Sequence, residues 1–202
     1  MKQLFIDSST NLLYIAVANN GHLIEETIRI GRKDHAKYVV ERIDLLLKRR
    51  DTKLEDIKEI YVGSGPGSYT GLRVSVMVAK MLAYTKNITL YEVSSLYFLS
   101  SGYDFIKAPM TDARNGNVFS AIYDDELTLL PDGLRKTEDV QNLAISFNAK
   151  PILLDEYHYE VDIKKIIKQA KKVEDIHSLE PKYLRQTKIS WLDKQMKKIL
   201  MR

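Results

Sequence analysis

Cysteine is absent from this chain of 202 residues, and glycine and proline are sparse at nine and five residues. Without cysteine there is no disulfide, no thiolate metal ligand and no cysteine nucleophile, a pattern that suits a reducing interior. Long apolar runs are missing as well: none approaches the roughly 20 residues needed to cross a bilayer. The opening run Leu4-Phe5-Ile6 meets Asp7 after three apolar residues, too few for the core of a signal peptide, so the expected location is cytoplasmic with no membrane partner. The four histidines, His22, His35, His158 and His177, show no His-x-x-His or His-x-x-x-His pairing, so no metal site is expected. No serine stands with a base and an orienting acid at a recognisable spacing, and nucleophilic catalysis finds no support.

What remains is an ordinary globular composition, 45% hydrophobic and 29% charged, with a net charge of +4. Such a length holds one large or two small domains around a substantial core. The charge is unevenly placed. Basic and acidic residues balance at 19 each up to Lys150, and from Pro151 onward there are 12 basic and 8 acidic. The basic tail, including Lys194, Lys197 and Lys198, is either a solvated helix face or a surface that attracts nucleic acid.

Against this scarcity of glycine, one cluster stands out. Gly65-Pro66-Gly67-Ser68-Tyr69-Thr70-Gly71-Leu72-Arg73 follows the apolar run Ile60-Tyr61-Val62 and leads into a helical segment. Glycine loses more backbone entropy on folding than any other residue, so a cluster marks unusual dihedrals or the close approach of another backbone or a ligand. Two readings stay open. Strand, glycine turn and helix N-terminus make a nest of N–H groups that suits a phosphate or carboxylate. The same pattern also builds a tight strand-to-helix crossover. There is no Gly-Lys-Ser/Thr ending of a P-loop and no third glycine at dinucleotide-binding spacing.

The elements around the cluster read as α/β. Strands are expected at Leu4–Ile6, Leu12–Ala18 and Leu23–Ile30, with Asn19-Asn20-Gly21 as a hairpin turn. A helix from His35 to Arg50 presents Ala36, Val39, Val40, Ile43, Leu46 and Leu47 as its apolar stripe, with Asp34 as its N-cap. A second helix, Leu72 to Lys86, is apolar nearly all round. Such a helix is buried on all sides, within its own chain or against another subunit. A strand at Ile88–Val93 and a short helix at Ser95–Ser101 close the first half, and a boundary falls at Gly102-Tyr103-Asp104. The second half is expected to hold strands at Ile106–Met110, Val118–Tyr123, Leu127–Leu130 and Ile152–Leu154, with helices at Thr137–Phe147, Val161–Lys171 and Ser190–Met201. Two domains, residues 1–102 and 103–202, follow from this division.

Three antiparallel strands, a helix, a strand and a second helix form the first-half order of the actin-like ATPase fold. An acidic residue in that fold's first strand-to-strand turn faces phosphate. Asp7, flanked by Ser8 and Ser9, occupies that place, as a vestigial phosphate site or as an ordinary Asx turn.

The glycine run closely resembles the Gly-Pro-Gly-Ser-Phe/Tyr-Thr-Gly-Leu-Arg signature of the bacterial TsaB family, which takes part in making N6-threonylcarbamoyladenosine beside the anticodon of transfer RNA. Asp7-Ser8-Ser9, His35, Val93-Ser94-Ser95-Leu96, Asp112-Ala113-Arg114 and Pro181-x-Tyr183-Leu184-Arg185 are similar to further family segments, so the resemblance spans nearly the whole chain. It implies an actin-like fold of two related subdomains and no cofactor. It also implies a non-catalytic role beside TsaD, the catalytic paralogue, whose His-x-Glu-Gly-His metal motif is here replaced by Ser94-Ser95-Leu96-Tyr97. Implied partners are TsaD in a heterodimer, the ATPase TsaE in a ternary complex, a second copy of the chain when alone, and transfer RNA through the complex. The implied interface uses the two long helices, with Met77, Met81 and Tyr84 as candidate residues and Val39 and Ile43 either joining them or facing the sheet. The rival reading is an actin-like ATPase or phosphotransferase working through Asp7 and the glycine loop.

Overall fold

The computed structural model describes residues 1–31 and 34–184. Strand β1 (Lys2–Asp7) pairs antiparallel with β2 (Leu12–Asn19), which pairs with β3 (His22–Ile30). Helix α1 (His35–Arg49) then crosses to β4 (Ile57–Gly63), parallel to β1, and helix α2 (Tyr69–Lys86) crosses to β5 (Thr89–Val93), parallel to β4. Helix α3 (Ser95–Ser100) leads to a second sheet of β6 (Lys107–Asp112), β7 (Asn117–Asp124) and β8 (Leu127–Lys136). Helix α4 (Thr137–Ser146) returns the chain to β9 (Lys150–Leu153), which lies parallel to β6.

The second sheet, in the order β8-β7-β6-β9, repeats the order β3-β2-β1-β4 of the first. Two sheets of the same winding, each flanked by helices, are the arrangement expected of an actin-like fold. The division of the chain is less simple than a cut between residues 102 and 103. Helix α5 (Ile163–Gln169) buries Ile163 and Ile166 against Phe5, Leu12 and Tyr14 of the first sheet, and β10 (Lys171–Lys172) pairs with β5.

Alternation along β2 shows why the first sheet is covered on both faces. Leu13, Ile15 and Val17 belong to the core under α1 and α2, whereas Leu12, Tyr14, Ala16 and Ala18 belong to the core under α3 and α5. Such a strand reads as a continuous apolar run because both pleat faces are buried. The apolar stripe of α1 is narrower than its spacing predicts. His35, Val39, Ile43, Leu46 and Leu47 are buried, while Ala36 and Val40 face outward. Asp34 precedes α1 without a capping side-chain bond, because its carboxylate instead takes the Arg29 guanidinium at 2.5–2.8 Å. Strand β8 runs past Leu130 through Pro131 and Gly133 to Lys136. As the edge strand of its sheet it can tolerate a proline that removes a ladder donor. No helix among the described residues is long and apolar enough to cross a membrane. The basic tail expected as a helix from Ser190 to Met201 lies outside the described residues.

Candidate functional site

The glycine run and the turn after β1 come together in one packed unit. The Ser68 N–H donates to the Ser9 carbonyl at 2.6 Å, and the Ser8 hydroxyl donates to the Gly71 carbonyl at 2.7 Å. A β-carbon on Gly67 would meet the Ser9 carbonyl oxygen at 2.5 Å, and one on Gly71 would stand well under 3.0 Å from the Ser8 oxygen. Gly65 has φ +112°, a backbone setting that favours glycine. Its N–H donates to the Ser95 hydroxyl, and its carbonyl accepts from the Ser95 N–H, both at 3.0 Å. Pro66 follows through a cis peptide. Ser68 caps α2, accepting from the Gly71 N–H at 3.4 Å.

The nest of the sequence reading is filled in part by the chain's own backbone and hydroxyls. The N–H groups of Gly65, Ser68 and Gly71 are engaged within the chain, which is the packing of a tight strand-to-helix crossover.

Asp7 is enclosed behind this unit. Its Oδ1 accepts from the Ser9 N–H at 2.8 Å and from the Ser9 hydroxyl at 2.7 Å, and its Oδ2 is fully buried. Gly63 makes room for that oxygen: a β-carbon there would stand well under 3.0 Å from Oδ2. Burial raises the Asp7 carboxyl from an ordinary 3.8 to about 6, with hydrogen bonds from Ser95 and Ser9 pulling the other way. His35 is buried near the same turn, with Nε2 3.1 Å from the Thr10 carbonyl, and burial lowers its pKa. Among the described residues no group of three or more His, Cys, Asp or Glu could hold a metal ion.

In front of the loop lies a cleft of about 680 Å³ between the sheets. Thr10, Gly67, Tyr69, Thr70 and Val74 line one side, and Thr111–Arg114, Phe119 and Leu153–Glu156 the other. The supporting segment Asp112-Ala113-Arg114 therefore sits at the cleft, where the Asp112 carboxylate accepts from the Arg114 N–H at 2.7 Å. Ser94 caps α3 and ties the two sheets together. Its hydroxyl is 3.0 Å from Asp132 Oδ1 and 3.1 Å from the Tyr123 hydroxyl, which itself donates to Asp132 at 2.8 Å.

The remaining signature residues point outward. Tyr69 and Arg73 are exposed; the Arg73 guanidinium lies 4.5 Å over the Tyr69 ring, and its Nε donates to the Tyr183 hydroxyl at 3.2 Å. Tyr183 belongs to a strap that sequence reasoning did not locate. Residues 173–184 run beside α2, held by Lys80 Nζ donating to the carbonyls of His177 and Leu179 at 3.0 and 2.8 Å, and by the Lys182 N–H donating to the Ser64 carbonyl at 2.7 Å. The lone cation midway along an apolar helix was the available signal, though nothing in the sequence named its partners about 100 residues away.

The candidate interface residues separate into two groups. Met77, Met81 and Tyr84 form one outward line at i, i+4 and i+7, exposed by 68%, 47% and 65%. Val39 and Ile43 do not join them. They are 1% and 5% exposed and pack under α1 against the first sheet, so they belong to the core and not to a docking face. Val40, one turn along α1, is exposed instead. Helix α2 is therefore not buried all round. Its Leu72, Ser75, Val76, Ala79 and Ala83 face the core, and the opposite side is apolar and open.

Comparison with known proteins sets this geometry in context. A family model described as TsaD, tRNA N6-adenosine threonylcarbamoyltransferase, matches residues 28–178. The tRNA threonylcarbamoyladenosine biosynthesis protein TsaB of Bacillus subtilis is 28% identical, over 96% of this chain and all of that protein. The Escherichia coli protein of the same name is 30% identical over 61% of this chain and 55% of its own length. A Pseudomonas aeruginosa crystal structure described as similar to peptidase YeaZ superposes with a TM-score of 0.72 at 20% identity, covering 91% of this chain and 99% of that one. A second, described as YeaZ from the same organism, gives 0.69 at 18%. These two show the shared fold.

Proposed function

Because the chain belongs to the TsaB proteins, within the family described as TsaD, tRNA N6-adenosine threonylcarbamoyltransferase, we propose that it is a scaffold subunit and not itself the catalyst. It works in tRNA threonylcarbamoyladenosine biosynthesis by binding TsaD and holding it in the arrangement that transfers threonylcarbamoyl to adenosine. TsaE joins the pair, transfer RNA reaches the chain through the complex, and a second copy takes TsaD's place when the chain is alone.

The observation that carries this reading is the outward line of Met77, Met81 and Tyr84 on α2. Large apolar side chains aligned on one exposed helix face mark an interaction surface, and unbranched methionines adapt to more than one partner. The glycine unit supports the same role. It fixes the first turn of α2 against the β1–β2 turn, so the docking helix starts from a rigid anchor. The rival ATPase reading asks Asp7 to reach phosphate or its metal. Asp7 is fully buried behind the loop, and the N–H groups of Gly65, Ser68 and Gly71 are bonded within the chain, which speaks against that reading.

The test is pairing with TsaD. A charge at the centre of the line, Met81→Asp, abolishes co-elution with TsaD in size-exclusion chromatography while leaving a folded monomer by circular dichroism. Unchanged pairing by this variant rejects the interface.

A further inference from the structure

The wall of the cleft holds a hydroxyl that the fold leaves unused. Thr111 is 5% exposed, and its buried Oγ1 has no hydrogen-bond partner among the described residues. Pleat alternation gives its direction. Ala108 and Met110 of β6 pack in the clusters that hold Ala144 and Val140 of α4, so Thr111 lies on the other face of the sheet, in register with Phe119 of β7. Both residues line the cleft. A buried hydroxyl without a bond costs stability, and that cost is removed when a ligand in the cleft supplies the bond.

The charges around the hydroxyl select the ligand. Asp112, Asp155 and Glu156 place three carboxylates on the lining, against one guanidinium, that of Arg114. The N-terminus of α2 also faces the cleft, but a helix end brings only about half a positive charge, so the negative surplus stands and phosphate is repelled. Asp112 already accepts from the Arg114 N–H at 2.7 Å, and Asp155 from the Tyr157 and His158 N–H groups at 2.8 Å. Glu156 has neither a hydrogen bond nor an ion pair among the described residues. Met110 pairs with Leu153, and the Leu154 N–H donates to the Met110 carbonyl at 2.8 Å, so Thr111 and Glu156 follow at the same ends of neighbouring parallel strands. Val74, Phe119, Leu153 and Leu154 supply apolar wall beside them, with Leu153 half exposed.

We propose that this cleft binds a small organic cation, a primary ammonium on an apolar body, with the ammonium donating to the Glu156 carboxylate and the Thr111 hydroxyl and the body lying against Phe119 and Leu153. An ammonium carries three donors and no acceptor, which suits a carboxylate and a hydroxyl that both accept. The volume of about 680 Å³ is ample for such a molecule. The inference goes beyond the scaffold reading and needs nothing from the docking of TsaD.

Phenethylamine, an ammonium on an aromatic body, is the probe, and phenylacetate, a similar ring with the charge reversed, is its control. The full-length chain is expected to bind phenethylamine saturably in calorimetric titration at low salt, with amide chemical-shift changes centred on Thr111, Phe119 and Glu156. Phenylacetate and adenosine monophosphate bind at least about tenfold more weakly. Glu156→Gln weakens phenethylamine binding about tenfold, the loss of one charge-assisted bond. Thr111→Val weakens it several-fold and, by removing the unpartnered hydroxyl, raises the urea midpoint of the chain measured without the probe. Both variants keep the native circular dichroism. No saturable binding at millimolar phenethylamine overturns the proposal, as does phenylacetate binding equally well, or Glu156→Gln binding the probe unchanged. A Thr111→Val chain that is less stable than the native one and binds the probe as tightly also overturns it, because the hydroxyl then serves the fold.

Discussion

The carbonyl oxygen of Ser8 occupies the place where a β-carbon on Gly71 would have to be. That relationship decides what the glycine loop is for. Gly71 sits in the first turn of α2, where replacing glycine by alanine ordinarily gains about 1 kcal/mol. Here the added methyl meets a backbone oxygen that is pinned by the hydrogen bond from Ser68 to its neighbour Ser9 and cannot yield cheaply. Overpacking of this kind costs about 1–3 kcal/mol or more, so the clash outweighs the propensity.

Gly71→Ala is therefore expected to lower stability by about 2 kcal/mol, read from the midpoint of urea unfolding. Gly116 provides the contrast. Nothing lies within 4 Å of a β-carbon there, and its φ of +71° is the only obstacle, so Gly116→Ala costs about 1 kcal/mol. Equal costs at the two sites would contradict the packing account of the loop.

Asp7 gives a pH signature. Its carboxyl is raised to about 6 in the folded chain, from 3.8 when solvated. Between those values the folded state binds more protons than the unfolded state, so this group's contribution to stability is full below about pH 4 and is lost as pH rises through 6. The lost contribution amounts to about 3 kcal/mol. Asparagine keeps an oxygen for the Ser9 donors and has no charge to bury. The stability of Asp7→Asn relative to the native chain is thus expected to increase from pH 4 to pH 7.5 in paired thermal melts. Parallel pH profiles would show that Asp7 is not the strained buried acid described.

The strap has its own test at Lys80. The ammonium holds two carbonyls, those of His177 and Leu179, beside α2. Hydrogen bonds from a charged donor contribute roughly 1.5–3 kcal/mol each where well enclosed, and partial exposure here brings the pair to about 1–2 kcal/mol in all. Lys80→Met removes them while keeping the apolar stem. Limited proteolysis of the variant is expected to cut within residues 173–184 several-fold faster than in the native chain, with the rest of the fold resistant. An unchanged cleavage pattern would show that Lys80 does not hold the strap.

Much of this architecture was legible in the sequence because its signals are local. Asn19-Asn20-Gly21 marks the hairpin between β2 and β3 through the positive φ of Asn20 and Gly21, and the glycine run marks the entry to α2. The core positions of α1 are half legible: a periodic stripe identifies a helix but not how wide a face the sheet will cover, so Val39 and Ile43 stay open between docking face and sheet in the sequence, and the structure gives them to the core. Asp7 was located but its setting was not, since the spacing of residues carries no account of enclosure. The strap was invisible for a similar reason. Lys80 and His177, or Arg73 and Tyr183, are paired by the return of the chain after α5, which no periodicity encodes.

The central claim is that the chain acts by docking its α2 face on TsaD, and the most direct measurement is the rate of transfer-RNA modification by TsaD and TsaE with the chain present, absent, or carrying Met77→Asp and Met81→Asp. The account predicts modification with the native chain, and only background with the double variant or with none. Modification at the same rate without the chain would contradict it.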